Sequence, residues 1–164
     1  MIFVTVGMHH QGFERLIKAM DDLAAQIDEP VVMQIGASSY EPVHAEWFKF
    51  APAERVAELT KEARVLVAHA GAGTIISSFE HRKPLIVVPR RADQDEHVDD
   101  HQIELASALA EAGKIVSVEE PSAESLKRAL EQAGTLRPHQ RSSSRLAAAV
   151  DRALHGNKSP LVEV

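Results

Sequence analysis

Apolar residues recur along this chain in two alternating rhythms: short unbroken runs, and longer stretches where they return every three or four positions. Ile2–Val6 is a run ended by Gly7, and Phe13, Leu16, Ile17, Met20 and Leu23 then share one face of a predicted helix over 13–23. Val31–Ile35, between Pro30 and Gly36, predicts a second strand, and Trp47–Phe50 a short third. A helix over 53–63 with Val56 and Leu59 inward leads to a strand at Val65–His69, a glycine turn and another helix. Pro84–Pro89 has the form of a strand buried on both faces. A charged loop, a helix over 99–112 closed by Gly113, a strand over 114–118, and a helix from Ser122 as N-cap toward Gln132 complete the pattern. Alternating strands and helices predict an α/β fold with a single doubly wound, Rossmann-like parallel sheet.

In such a fold ligands sit at the carboxyl ends of the strands, which places three loops on one edge: 7–12, 69–74 and 90–100. Gly71 and Gly73, between a strand and a helix, allow the backbone to turn sharply and approach a ligand, and the first N–H groups of that helix form an anion site. The natural guest is a diphosphate, although a strand–glycine–helix turn serves equally as a plain tight connection in α/β proteins. A third glycine is missing from the dinucleotide pattern, because Ile76 occupies its place, and no Walker lysine follows.

The loop over 90–102 is dense in hydrogen-bonding side chains suited to sugar hydroxyls; its composition fits equally a solvated helix N-terminus whose acids complement the dipole. His97 and His101 are four apart, but Val98 stands where a metalloprotease helix needs glutamate, so no metal is expected. His9 and His10, after the first strand, are candidates for a general base or an anion contact.

With 164 residues, 45% hydrophobic and 26% charged, the chain has the size and make-up of one globular domain. The absence of cysteine excludes disulfides, thiolate catalysis and cysteine-ligated zinc. A net charge of −6, with basic residues clustered only over 137–152, argues against nucleic-acid partners. The first residues form a strand rather than a basic and apolar leader, so neither a signal peptide nor a membrane span is expected, and the chain is expected in the cytoplasm. The expected layout is one domain over 1–155 with a flexible tail over 156–164, including a last helix through Leu146, Val150 and Leu154.

Taken in order, Phe3–Gly7, His69–Thr74, Lys83–Pro89, Asp100–Gln102 and Glu104–Ala106 resemble the glycosyltransferase family 28 C-terminal domain. The resemblance spans roughly 1–133 and leans toward the small donor-binding subunits of two-part transferases, those of dolichol-linked N-acetylglucosamine transfer and of bacterial exopolysaccharide glucuronate transfer. It implies the C-terminal half of a two-domain, inverting enzyme. This half would hold a UDP-sugar without a separate cofactor, while a membrane-anchored partner supplies the acceptor site and recruits it to the inner face of the membrane. Self-association is left open.

By the same resemblance Gly7, His69, Gly71, Ala72, Gly73, Thr74 and Ser77 would face the nucleotide diphosphate side, and Glu96, His97, Asp100, His101 and Gln102 the sugar. The base that deprotonates the acceptor would be His9 or His10, or a residue of the partner. Ser77 stands where many relatives carry a ribose-binding glutamate, and Met8 where close relatives carry threonine. A non-catalytic nucleotide-binding subunit and a complete nucleotide-sugar enzyme such as an epimerase stay as alternatives.

Overall fold

The computed structural model describes residues 1–97 and 101–136. The expectations for the basic cluster, the last helix, the boundary at 155 and the tail lie outside the described residues, as do Asp100 and the side chain of His101.

Six strands, β1 (Ile2–Thr5), β2 (Val31–Gln34), β3 (Glu46–Phe48), β4 (Val65–Ala68), β5 (Leu85–Val87) and β6 (Val116–Ser117), form one sheet in the order β3-β2-β1-β4-β5-β6, every pair parallel. Among the described residues four helices lie between strands, α1 (Glu14–Ala24), α2 (Ala53–Glu62), α3 (Ala72–Glu80) and α4 (His101–Glu111), and α5 (Ala123–Ala133) follows β6. The apolar runs are unbroken because both faces are covered. On one face Leu16, Ile17 and Met20 of α1 and Leu126 and Leu130 of α5 pack on Ile2, Val4, Met33 and Val67. On the other, Leu59, Ile75, Phe79, Leu105 and Leu109 from α2, α3 and α4 pack on Phe3, Leu66 and Val87.

Sequence periodicity and structure differ at element ends, each for a local reason. The strand expected over 114–118 keeps only two residues, since Lys114 N–H donates to Leu109 O and Gly113 N–H to Ala110 O, closing α4 with Gly113 at φ +64°. The third strand starts one residue early and stops at Phe48, and Phe50 beyond it is 52% exposed. A single 3₁₀ turn at Ala92–Gln94 interrupts the charged loop. Ser122 caps α5 as expected, its hydroxyl accepting from Ser125 N–H at 3.1 Å.

The chain builds the sheet outward from β1 through β2 to β3, then crosses back to place β4 on the other side of β1. Strand order therefore reverses between β1 and β4, where Thr5 lies opposite Ala68, and the loops that leave these strands diverge around a crevice. No helix among the described residues is long and apolar enough to cross a membrane.

Candidate functional site

The imidazole of His69 stands in this crevice, between the two loops. Gly7, at φ +73°, is in a conformation that L side chains rarely adopt, and a Cβ there would lie 2.6 Å from His69 Nε2. Gly71 has ordinary backbone angles and is needed for space alone: a Cβ there would lie 2.1 Å from His69 Cε1. The ring is then oriented by two bonds. Gly71 N–H donates to Nδ1 at 3.1 Å, so Nε2 carries the proton and donates to Thr74 Oγ1 at 3.2 Å. Burial first, then the positive field of Arg90 and of neighbouring His9 and His97, pushes the His69 pKa down to about 3. The ring is neutral at physiological pH.

His69 thereby shapes the start of α3. Gly71 is the N-cap and contributes no side chain, the first turn holds no acid, and the first helical bond runs from Ile75 N–H to Gly71 O. The N–H groups of Ala72, Gly73 and Thr74 are left without helical acceptors at the positive end of the helix. A Cβ on Gly73 would meet nothing within 4 Å, so the space beside this residue of the first turn is open. Ser77 lies one turn further on, its carbonyl accepting from His81 N–H at 3.1 Å.

The loop after β1 repeats the His69 device. Gln11 N–H donates to His9 Nδ1 at 3.2 Å, the same two-residue spacing, which leaves Nε2 of neutral His9 as a hydrogen-bond donor. His9 stacks on His10 at 4.5 Å between centroids and on His97 at 5.1 Å. Burial, then Arg90, His10 and His97, hold its pKa below the ordinary imidazole value. Neutral His9 in this geometry presents a ring N–H and has its lone pair engaged by Gln11 N–H. Met8, beside it, is 78% exposed.

The sugar-side candidates separate into two groups. His97 joins the crevice through its stacking on His9. Glu96 is 5% exposed and its carboxylate is occupied: Arg15 donates through Nε at 3.0 Å and through a terminal nitrogen at 2.9 Å, and Arg91 N–H donates at 3.1 Å. Gln102 Oε1 is also occupied, accepting from Ala70 N–H at 3.1 Å and Arg90 N–H at 3.2 Å, which ties the ends of β4 and β5 together. Glu96 thus clamps its loop where the resemblance places it on the sugar, and Gln102 can offer a ligand its amide N–H groups only.

Three residues here are not singled out by the sequence. Arg90, 1% exposed, donates to the carbonyls of Val6, Gln11, Gly12 and Glu96 at 2.8–3.1 Å and lies 4.7 Å from the Phe13 centroid. Its only sequence signal is a charge placed directly against the buried run Val87–Pro89. Arg15 falls on the polar face of α1, where pairing with Glu96 cannot be read from spacing. Phe50 Cε1 lies 4.0 Å from the Cβ position of Gly36, itself 3.1 Å from Gly7 O, so Phe50, Gly36, Gly7 and His69 run contiguously along the sheet edge.

The chain resembles known proteins in family and in fold. Residues 1–157 match the model of the glycosyltransferase family 28 C-terminal domain. The human UDP-N-acetylglucosamine transferase subunit ALG13 is 28% identical over 132 residues, covering 70% of this chain and 10% of the human protein. Its mouse counterpart is 30% identical over 124 residues, covering 69% of this chain and again 10% of the relative. The chain thus spans about a tenth of the length of these relatives. Among solved structures, MurG of Acinetobacter baumannii superposes with a TM-score of 0.58 at 21% identity, over 93% of this chain and 45% of MurG. The glycotransferase of kitacinnamycin superposes with a TM-score of 0.61 at 20% identity, over 93% of this chain and 37% of that one. At these identities the likeness is one of fold.

Proposed function

The chain belongs to the glycosyltransferase family 28 C-terminal domain family, and from that premise we propose that it is the donor-binding subunit of an inverting glycosyltransferase. Its donor is a UDP-sugar, UDP-glucuronate or UDP-N-acetylglucosamine, used in exopolysaccharide or lipid-linked glycan synthesis. The observation that carries this reading is the uncapped start of α3, with three unpaired N–H groups and open space at Gly73, set at the point where strand order reverses. Those N–H groups hold the diphosphate and stabilise the negative charge that grows on UDP as the sugar leaves. Thr74 accepts from His69 and so keeps its own hydroxyl proton for an anionic oxygen. Phe50 offers an exposed aromatic face for the nucleobase. His9 donates to the bound donor, and the acceptor is deprotonated by His10 or by the partner, in one displacement at the anomeric carbon.

The acceptor half and the attachment to the inner face of the membrane belong to a partner subunit. One feature supports a two-part enzyme: the human relative is named as a subunit. Calorimetry with UDP, ATP and NAD tests the donor, with UDP expected to bind most tightly; equal or tighter binding of ATP or NAD removes the assignment. Transfer from each UDP-sugar to a lipid-linked acceptor, measured before and after adding membranes that carry the partner, tests the division of labour. Robust turnover by the chain alone overturns it.

A further inference from the structure

Arg15, in the first turn of α1, reaches across to the loop after β5. Its Nε donates to one carboxylate oxygen of Glu96 at 3.0 Å and a terminal nitrogen donates to the other at 2.9 Å, a bidentate pair between residues 81 positions apart. The same terminal nitrogen donates to Pro89 O at 3.0 Å, and the other one to Glu119 O. Pro89 and Glu96 stand at the two ends of the loop, and the turn between them is closed by Arg91 N–H on Glu96 Oε2 and Glu96 N–H on Arg91 O, both at 3.1 Å. Glu96 is buried. Withdrawing a carboxylate and a guanidinium from water offsets much of their attraction, and apolar replacements of similar volume commonly leave stability unchanged or raised. What two parallel bonds between planar groups add is geometry, because they form at one relative placement only.

We propose that Arg15 and Glu96 are the positioning pair of the donor site: they fix the loop after β5 onto α1 and so hold the ring of His97 against His9 at the crevice. The inference rests on the UDP-sugar reading of that crevice. His97 directly follows Glu96, so its Cα lies 3.8 Å from a fixed point, and its ring stacks on His9 at 5.1 Å between centroids. Other bonds between the two loops act on the main chain: Gln11 Nε2 donates to Asp95 O at 2.8 Å, and Arg90 Nη1 to Glu96 O at 3.0 Å while also holding Gln11 O and Gly12 O. Glu96 is thereby drawn two ways, its carbonyl toward the β1–α1 loop and its carboxylate toward α1. That sets both the place and the direction from which the chain enters His97. The start of α3, which serves the diphosphate, lies outside the loop that the pair holds.

The experiment compares the wild type with Arg15→Met, Glu96→Gln and the double variant. In the Gln variant the amide NH₂ meets a donor whichever way it turns, Arg15 Nε on one side and Arg15 and Arg91 N–H on the other. Two readouts are taken: the nuclear Overhauser contact between the His9 and His97 rings, and affinity for UDP, UDP-glucuronate and UDP-N-acetylglucosamine by calorimetry. The wild type should show the ring contact. Each variant should lose it and bind the UDP-sugar at least about tenfold more weakly, with UDP itself within about threefold. The double variant should lose no more than the larger single loss, since the two residues act as one unit. A folded variant that keeps both ring contact and UDP-sugar affinity overturns the proposal. So do equal losses of UDP and UDP-sugar in every variant, the mark of general damage, and single losses that multiply in the double variant. Should Arg15→Met not fold, Glu96→Gln and the double variant, which carry no lone buried carboxylate at 96, decide by the same readouts. Failure of the wild type to bind UDP or either UDP-sugar would instead remove the functional reading, with the ring contact still deciding whether the pair positions the loop.

Discussion

A methyl group on Gly71 would stand 2.1 Å from Cε1 of His69, whereas one on Gly73 would meet nothing within 4 Å. The two glycines of the same short motif therefore do different work. Gly71, with Gly7 opposite, makes room for an imidazole that belongs to the protein, and Gly73 faces open space.

Substituting the two glycines should separate these roles. Gly73→Val should leave the urea midpoint within the error of the wild type yet weaken UDP binding at least about tenfold, a loss of about 1.4 kcal/mol, because the new side chain projects into the ligand's space. Gly71→Ala should instead destabilise the fold by about 1–3 kcal/mol through overpacking against His69. Equal stability losses from both would refute the division.

The partly buried His69 makes stability depend on pH in a definite direction. Its folded pKa, about 3, lies below the unfolded value of 6.5. Between those values the unfolded chain binds a proton that the folded one does not, so stability is full above pH 6.5 and declines as the pH falls. From pH 7 to pH 5 the decline due to this ring should reach about 2 kcal/mol, and His69→Asn should lack that part of the slope. Urea unfolding at a series of pH values measures it; identical slopes for the two proteins would exclude the effect.

Gln102 ties β4 to β5 through one oxygen, and the prediction for it follows from that. Gln102→Ala leaves Ala70 N–H and Arg90 N–H without their acceptor, which should cost about 1–3 kcal/mol of stability and weaken UDP and UDP-sugar together. Any further loss confined to the UDP-sugar reports the amide N–H groups on the hexose. Unchanged stability with a loss of sugar binding alone would show that the bridge is unimportant.

Asp21, near the end of α1, anchors the β2–β3 connection by accepting from Tyr40 Oη at 2.7 Å, His44 N–H at 2.7 Å and Val43 N–H at 3.0 Å. Burial would raise its pKa, but these donors outweigh it and the net direction is down from 3.8. Its stabilisation is present above the unfolded value and is lost as the pH falls through the lower folded one. Asp21→Asn should cost about 2–3 kcal/mol at pH 7, shrinking below pH 4. A pH-independent difference would point to shape rather than charge.

The alternation of runs and helical spacings determined the elements, their order and the parallel sheet, because residues buried on both faces leave no polar positions to confuse the period. Gly71, Gly73 and Thr74 before an apolar helix marked the glycine turn and the free start of α3 for the same local reason: a strand, a tight turn and a helix start are written in consecutive residues. What only the tertiary structure decided is the part built by contacts between loops distant in sequence. Arg90 meets Val6 across 84 positions, Arg15 meets Glu96 across 81, and Gln102 meets Ala70 across 32. No periodicity records such pairings, so the charged loop read as a row of ligand contacts, although Glu96 and Gln102 spend their acceptors on the scaffold. The tautomers of His9 and His69 are likewise invisible in one dimension, since each is set by which backbone N–H the turn aims at Nδ1.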